Sequence, residues 1–356
     1  MLYTGEVLPP PFALIQNKKP VFGTFQGTAQ RLDIRGIYMP FGVMPLPTFI
    51  TNIRIKSKIS FTFDIGDFIG NVEINDIKML AYTDVVFWEK STGKRFSYRH
   101  IMRPRRRLIP HELRAFICTS HHRARYIKIS WDRDKNRISL LFSMKGDDAR
   151  PDSSAAFISH FSEEGIGDVL HVVPFPSMRR CQASYHMALP IHGALSLTTP
   201  AQEMKTMEDS DGLGFVDLRR TYLLLRSRGE FVTGLGVVKG KKVVFRIETS
   251  SNDAVNADKY NANALFVDGD MTPLPPIRIT HPRGLMGRWN IQDTDGMVDL
   301  VFTPISNYAK TLSVFIFRTQ YNIIYGTFEG ALLTKEGEKI TFKQLSGIAK
   351  HNLLRL

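Results

Sequence analysis

Cysteine is almost absent from this chain: Cys118 and Cys181 are the only two in 356 residues. Two thiols so far apart make no disulfide framework and read as reduced, buried side chains of a reducing compartment. Long apolar runs are missing as well. Nothing approaches the roughly 18 uninterrupted apolar residues of a membrane span. The start of the chain has three consecutive prolines, Pro9 to Pro11, and no basic segment ahead of an apolar one, so it lacks the form of a signal peptide. A cytoplasmic location is therefore expected. Helical periodicity is scarce throughout.

Metal and nucleotide motifs are lacking too. His111-Glu112 has no second histidine to make a zincin helix, and His186 and His192 have no partner at metal spacing. Asp132, Asp134 and Asn136 begin like a calcium loop, but Arg137 stands where a glycine is needed and Ser143 where the closing acid is needed. A plain hairpin loop is the better reading. Gly234, Gly236 and Gly240 precede a strand-like run rather than a helix, so no helix N-terminus is there to hold a pyrophosphate, and they read as a glycine-rich hairpin turn. No cofactor and no metal are expected.

What the chain does have is the composition of a globular protein, 43% hydrophobic and 23% charged, long enough for two ordinary cores. Its net charge of +13 is unevenly placed: residues 1–150 hold 25 Lys and Arg against 13 Asp and Glu, and the remainder 22 against 21. Such asymmetry suggests different partners or surfaces for the two halves.

Two-residue alternation dominates. Ile53, Ile55, Ile59, Phe61 and Phe63 oppose Arg54, Lys56, Lys58, Ser60 and Thr62, the pattern of a half-buried strand with a cationic outer face. Asp295-Gly296 is a type I′ hairpin signal, and counting outward pairs Asp293 with Val298, Ile291 with Leu300 and Trp289 with Phe302. A slip of one residue would expose that whole apolar set, so the register is strongly specified. Gly326 and Gly330 flank Phe328 on one face, as glycines do where a sheet bends toward a barrel. Residues 146–167 form a polar break that could hold a short helix. The prolines at 174 and 176 cannot continue a central strand. The expected architecture is all-β, two lipocalin-like antiparallel β-barrel domains with little helix: a basic N-terminal barrel in residues 1–176 and a second barrel in residues 177–356.

Three functions fit this frame. The first is a binder of a hydrophobic or amphipathic small molecule, lipid or isoprenoid-like, in the second barrel. Its candidate lining is Phe215, Phe266, Trp289, Phe302, Tyr325 and Phe328, although the same rings could equally be the barrel's own core. The second is an enzyme acting on an unsaturated lipid. Asp217 shares strand parity with Leu213 and Phe215 and so faces an apolar interior, where burial would raise its pKa and make it a general acid. The competing reading pairs Asp217 with Arg219 or Arg220. The third uses the basic cluster Arg103, Arg105, Arg106, Arg107, Arg123, Arg125 and Lys128, with Phe116, Tyr126 and Trp131 interleaved, to bind anions. No nucleic-acid signature accompanies it, so a solvated loop and barrel rim is preferred over nucleic acid, and an anionic membrane surface fits equally.

The second half also resembles the bacterial domain of unknown function 2804 family. The resemblance is carried by Asn263 to Gly269, by Trp289 with Asp295 to Pro304, by Gly326 to Gly330, and by Gly347 with His351. It covers Tyr185 to His351 well and the first half loosely. It implies kinship in fold with paired lipocalin-like barrels such as carotenoid hydratases, which handle hydrophobic molecules. The chain departs from the family pattern after Asp217, where Leu218 to Leu225 replaces a Trp-rich run, and at Ala349 and Leu356.

Overall fold

The computed structural model describes residues 3–42, 46–78, 80–103, 108–148, 150–198, 204–222, 224, 226–249, 254–314 and 317–355. The N-terminal segment carries β1 (Val7–Leu8), β2 (Ile15–Gln16), β3 (Lys19–Pro20) and β4 (Gly23–Gln26). Helix α1 (Thr48–Ile53) leads into β5 (Ile55–Ile65), β6 (Phe68–Asp76), β7 (Ala81–Glu89) and β8 (Arg95–Met102). Next come β9 (Ala115–His122), β10 (Arg125–Asp132), β11 (Arg137–Met144), β12 (Asp152–Ser159), β13 (Gly167–Pro174), β14 (Cys181–Thr198) and β15 (Met204–Tyr222). The remainder is β16 (Arg226–Val238), β17 (Lys241–Glu248), α2 (Ala254–Lys259), β18 (Ala264–Val267), β19 (Asp270–Pro273), β20 (Arg278–Thr280) and β21 (Trp289–Gln292). Three 17-residue strands close the chain: β22 (Val298–Val314), β23 (Phe317–Leu333) and β24 (Lys339–Arg355).

These strands make two curled antiparallel sheets. The first runs β8-β7-β6-β5-β15-β14-β12-β11-β10-β9, with β13 between β14 and β4. The second runs β19-β18-β17-β16-β24-β23-β22-β21-β20. Each curls around its own apolar core, Ile59, Phe61, Phe63, Phe87, Trp131 and Phe157 among the residues of one, Phe245, Trp289, Phe302 and Phe328 among those of the other. The architecture is thus all-β with two lipocalin-like units, and the described helices are six residues each. Among the described residues no helix is long and apolar enough to cross a membrane.

The chain does not change sheet at residue 176. Proline ends β13 as expected, but β14 and β15 return along it and pair with β12, β13 and β5. The crossing into the second sheet falls between Tyr222 and Arg226. A proline stops one strand without ending the sheet. The polar break at 146–167 likewise holds a strand, β12, rather than a helix.

The C-terminal hairpin has the register read from its alternation, Trp289 opposite Phe302, Ile291 opposite Leu300 and Gln292 opposite Asp299. Its turn is not type I′. Left-handed backbone occurs at Gly296 (φ 76°) and not at Asp295, and the Asp293 carboxylate accepts from the backbone N–H of Asp295, Met297 and Val298. Such Asx chemistry stabilises a longer loop without changing the strand register. The bend expected near Gly326 and Gly330 is present: the β22–β23 ladder shifts at Pro304/Ser306, and the β23–β24 ladder at Phe328/Gly330. Any Cβ at Gly326 would sit 2.2 Å from the Thr303 carbonyl oxygen. Both cysteines are free and buried, and burial pushes the Cys118 thiol up to about 12 and that of Cys181 higher.

Candidate functional site

Strand alternation gives each sheet two faces, and the face of β5 opposite its apolar set carries Lys56, Lys58, Ser60 and Thr62. Most of that face is shut off from water. It packs against the second sheet, with Lys58, Ser60 and Thr62 all buried. Register then sets one cross-strand row through six strands: Arg99, Asp84, Glu73, Ser60, Asp217 and His186. From the opposing sheet, β17 contributes Arg246 and Glu248, β22 Tyr308 and Lys310, β23 Tyr321, and β24 Lys350. The sheets therefore meet through a layer of buried charge, while two apolar clusters, one around Trp88 and Tyr325 and one around Phe215 and Phe266, complete the contact.

Three carboxylates organise the layer. Glu73 is fully buried and accepts from Lys350 Nζ at 2.6 Å, Lys58 Nζ at 2.7 Å and the Tyr321 hydroxyl. Burial pushes its carboxyl up, but Lys350 and Lys58 outweigh it and hold it below the usual carboxylate range. The cost appears on Lys350, which burial pulls down to about 7 against the attraction of Glu73. One carboxylate facing two ammoniums is the ionised partner of this group. Asp84 lies 3.2 Å from both Arg99 and Lys310, and here burial prevails and raises the carboxyl.

Asp217 is the third. Burial alone would raise it, but Arg219, His186 with its Nε2 3.5 Å away, and Arg246 together hold it well below the ordinary value. Arg246 approaches Asp217 at 3.2 Å, and Arg219 bridges to Glu248 at 2.6 Å. Burial keeps His186 and His171 below their usual pKa, hence neutral.

At the edge of this layer lies a partly open cavity of about 100 Å³ between the sheets. Lys56, Asp217, Arg219, Arg246 and Glu248 make its polar wall, and Phe175, Tyr222, Phe231 and Tyr260 its apolar wall. The Arg219 and Arg246 guanidiniums lie over the Phe231 ring, 4.9 and 4.6 Å from its centroid, a cation–π arrangement that fixes both.

The structure corrects the expected Asp217 chemistry. The residue has the parity read from the sequence and is buried, but it faces the second sheet rather than a barrel interior, and two arginines reverse the direction of its pKa shift. The pairing with Arg219 is present, whereas Arg220 points away and donates to Ser57 and to the carbonyls of Ile109 and Pro110. The six aromatic candidates are not brought to one cavity. Trp289, Phe302 and Phe328 pack on each other in the second core, with centroids 5.9 and 4.7 Å apart in turn. Phe215 and Phe266 meet between the sheets at 6.4 Å, and Tyr325 packs 5.8 Å from Trp88 in the other intersheet cluster. Tyr325 and Phe328 are three residues apart on one strand, so period two sends them to opposite faces. None of the six lines the intersheet cavity.

Among the basic candidates, Arg103 and Arg123 are exposed, while Arg125 and Lys128 are half-buried. Arg125 donates to the Arg99 carbonyl. Arg105, Arg106 and Arg107 lie outside the described residues. Phe116 and Trp131, interleaved with the basic residues in sequence, stack on each other at 4.0 Å in the first core and offer no ring to a base. The Asp132 carboxylate accepts from the Asp134 and Lys135 backbone N–H, as in an ordinary hairpin loop. Among the described residues no group of three His, Cys, Asp or Glu is placed to hold a metal.

Sequence reading missed Glu73, Asp84, Arg246, Glu248, Lys310 and Lys350. Their visible signal was the complement between halves: acidic residues on the non-core face of β6 and β7, basic ones on the matching face of β22 and β24.

No curated protein matches the chain. Solved structures similar to it include CghA, 12% identical, covering 95% of this chain and 99% of that one, with a TM-score of 0.46. The ATTH protein of Nitrosomonas europaea is 12% identical over 88% of this chain and 97% of that one, TM-score 0.48. Kievitone hydratase from Nectria haematococca is 9% identical over 84% and 88%, TM-score 0.43. The family model described as Domain of unknown function (DUF2804) matches residues 53–356, most of both sheets, and the chain belongs to that family.

Proposed function

We propose that the chain binds an amphipathic small molecule, and that it does so between its sheets rather than inside the second one. The observation that carries this reading is the two-sided cavity, in which buried charges with incomplete hydrogen bonding face a wall of aromatic rings. Thr221 Oγ1 and the Nε atoms of Arg219 and Arg246 are buried without a partner among the described residues, and all three residues line the space. Buried donors of this kind are ordinarily satisfied by protein, water or ligand. Sites for drug-sized ligands run from about 300 Å³ upward. At about 100 Å³ this cavity takes one end of a molecule, with the rest in its open mouth. The alternative of an enzyme protonating an unsaturated lipid loses support, because Asp217 is held as a carboxylate with no proton to give.

Mass spectrometry of solvent extracts from protein purified without detergent tests the proposal. The expected result is one compound, polar at one end, near one equivalent per chain and lost from a Thr221→Trp variant that keeps its β circular dichroism. The same compound in both proteins would place the ligand elsewhere. No compound from either would make the cavity a packing defect.

A further inference from the structure

Five cations line the intersheet cavity, Lys56, Lys58, Arg219, Arg228 and Arg246, against two carboxylates, Asp217 and Glu248. Four of the five are answered. Glu73 holds Lys58 at 2.7 Å, Glu230 holds Arg228 at 2.6 Å, Glu248 holds Arg219 at 2.6 Å and Asp217 holds Arg246 at 3.2 Å. Lys56 has no hydrogen bond or ion pair among the described residues, although it is half-buried. The β5–β15 register sets it opposite Thr221, whose hydroxyl is also unpartnered. We infer that the cavity selects anions, with the acidic head of an amphipathic ligand held by Lys56 and Thr221 and its apolar body laid against Phe231 and Tyr222.

The inference rests on reading this cavity as a ligand site, and it adds the sign of the ligand's charge. An unpaired ammonium in a partly desolvated place is costly unless a counter-charge arrives. Burial, with Lys58 and Arg219 close by, pulls Lys56 down to about 8, the mark of a positive site with charge to spare. A neutral head would leave that ammonium uncompensated, and a cationic head would be repelled by it. Rejection by repulsion is as much a part of specificity as attraction. A carboxylate is the head group this chemistry recognises.

Two probes of one shape separate the possibilities: 2-naphthoate, which carries a carboxylate, and 2-naphthylmethanol, which carries a hydroxyl. Calorimetric titration of the full chain is expected to show naphthoate bound at least about tenfold more tightly than the alcohol, a difference of about 1.4 kcal/mol. In Lys56→Met the ratio of the two affinities is expected to fall to near one. Lys56→Gln, which keeps a polar end without charge, should behave alike, and it stands in if the first variant does not fold. Equal affinities in the unaltered protein, or a preference that survives both substitutions, overturn the anion inference while leaving a ligand site. Failure of the unaltered protein to bind either probe overturns the ligand site itself, and the inference with it.

Discussion

Glu73→Gln lowers the melting temperature by on the order of 10 °C, corresponding to about 3–5 kcal/mol. The size follows from what the substitution leaves behind. Lys58 and Lys350 converge on this one carboxylate, and Lys350 and Glu73 are both buried between the sheets. Removing the negative charge strands two ammoniums where water cannot reach them easily, and the Tyr321 hydroxyl loses its charged acceptor. The loss is in the pairing, so Glu73→Gln combined with Lys350→Met recovers part of it, a coupling that a double-mutant cycle measures. The pH dependence has a definite sign. Lys350 is already pulled down to about 7 when folded, against a usual lysine value near 10.4. Between those two values the unfolded chain holds more protons than the folded one, and stability from this group rises with pH. Without Glu73 the folded value drops further, so around and below neutral pH, where folded Lys350 of the unaltered protein still holds its proton, melting temperature climbs more steeply with pH in the variant, and above neutral pH the two slopes converge. Thermal melts from pH 6 to 9 test this. An unchanged melting temperature in Glu73→Gln would mean that the layer is hydrated and its charges individually solvated.

Phe328→Ala costs a similar amount, about 3–5 kcal/mol, for an unrelated reason. The ring lies 4.7 Å from Phe302 and 5.0 Å from Phe245, centroid to centroid, and is fully buried. It also occupies the space above Gly347, where an added Cβ would come within 2.2 Å of the ring. Truncation therefore leaves a void bounded by rings with nothing to move into it. If Phe328 instead lined a ligand cavity, as its alternation alone permits, removing it from ligand-free protein would enlarge existing space at little cost. Denaturant melts distinguish these outcomes, and a loss below about 1 kcal/mol would favour the lining role.

The two effects show what alternation can and cannot reveal. Period two assigned Trp289, Ile291, Leu300 and Phe302 to one face and set their pairing, because a slipped register would have exposed all four. It also grouped Lys56 and Lys58 correctly on the face opposite Ile55 and Phe61. What covers a face is a separate matter. A cationic strand face reads as a solvated one unless a partner is known, and here the partner is another sheet far along the chain, bearing Lys310, Lys350 and Arg246 of the same sign. Glu73, Asp84 and Asp217, themselves spread over three strands, and Glu248 of the opposing sheet make the burial tolerable. The same gap explains part of Asp217: its parity and its Arg219 partner on the same strand were legible, but Arg246, the second arginine that holds it down, comes from β17, in the other sheet. Near 176 proline ends β13 while β14 pairs back along it, a return that strand alternation alone does not show.

The most direct measurement of the central claim, that the ligand site lies between the sheets, is photo-crosslinking with a diazirine-bearing aromatic carboxylate followed by peptide mass spectrometry. The expected result is saturable labelling at Phe231 and Tyr260, or at Tyr222 beside them, competed by excess 2-naphthoate. Labelling at Trp289, Phe302 or Phe328 would contradict it, returning the site to the interior of the second sheet.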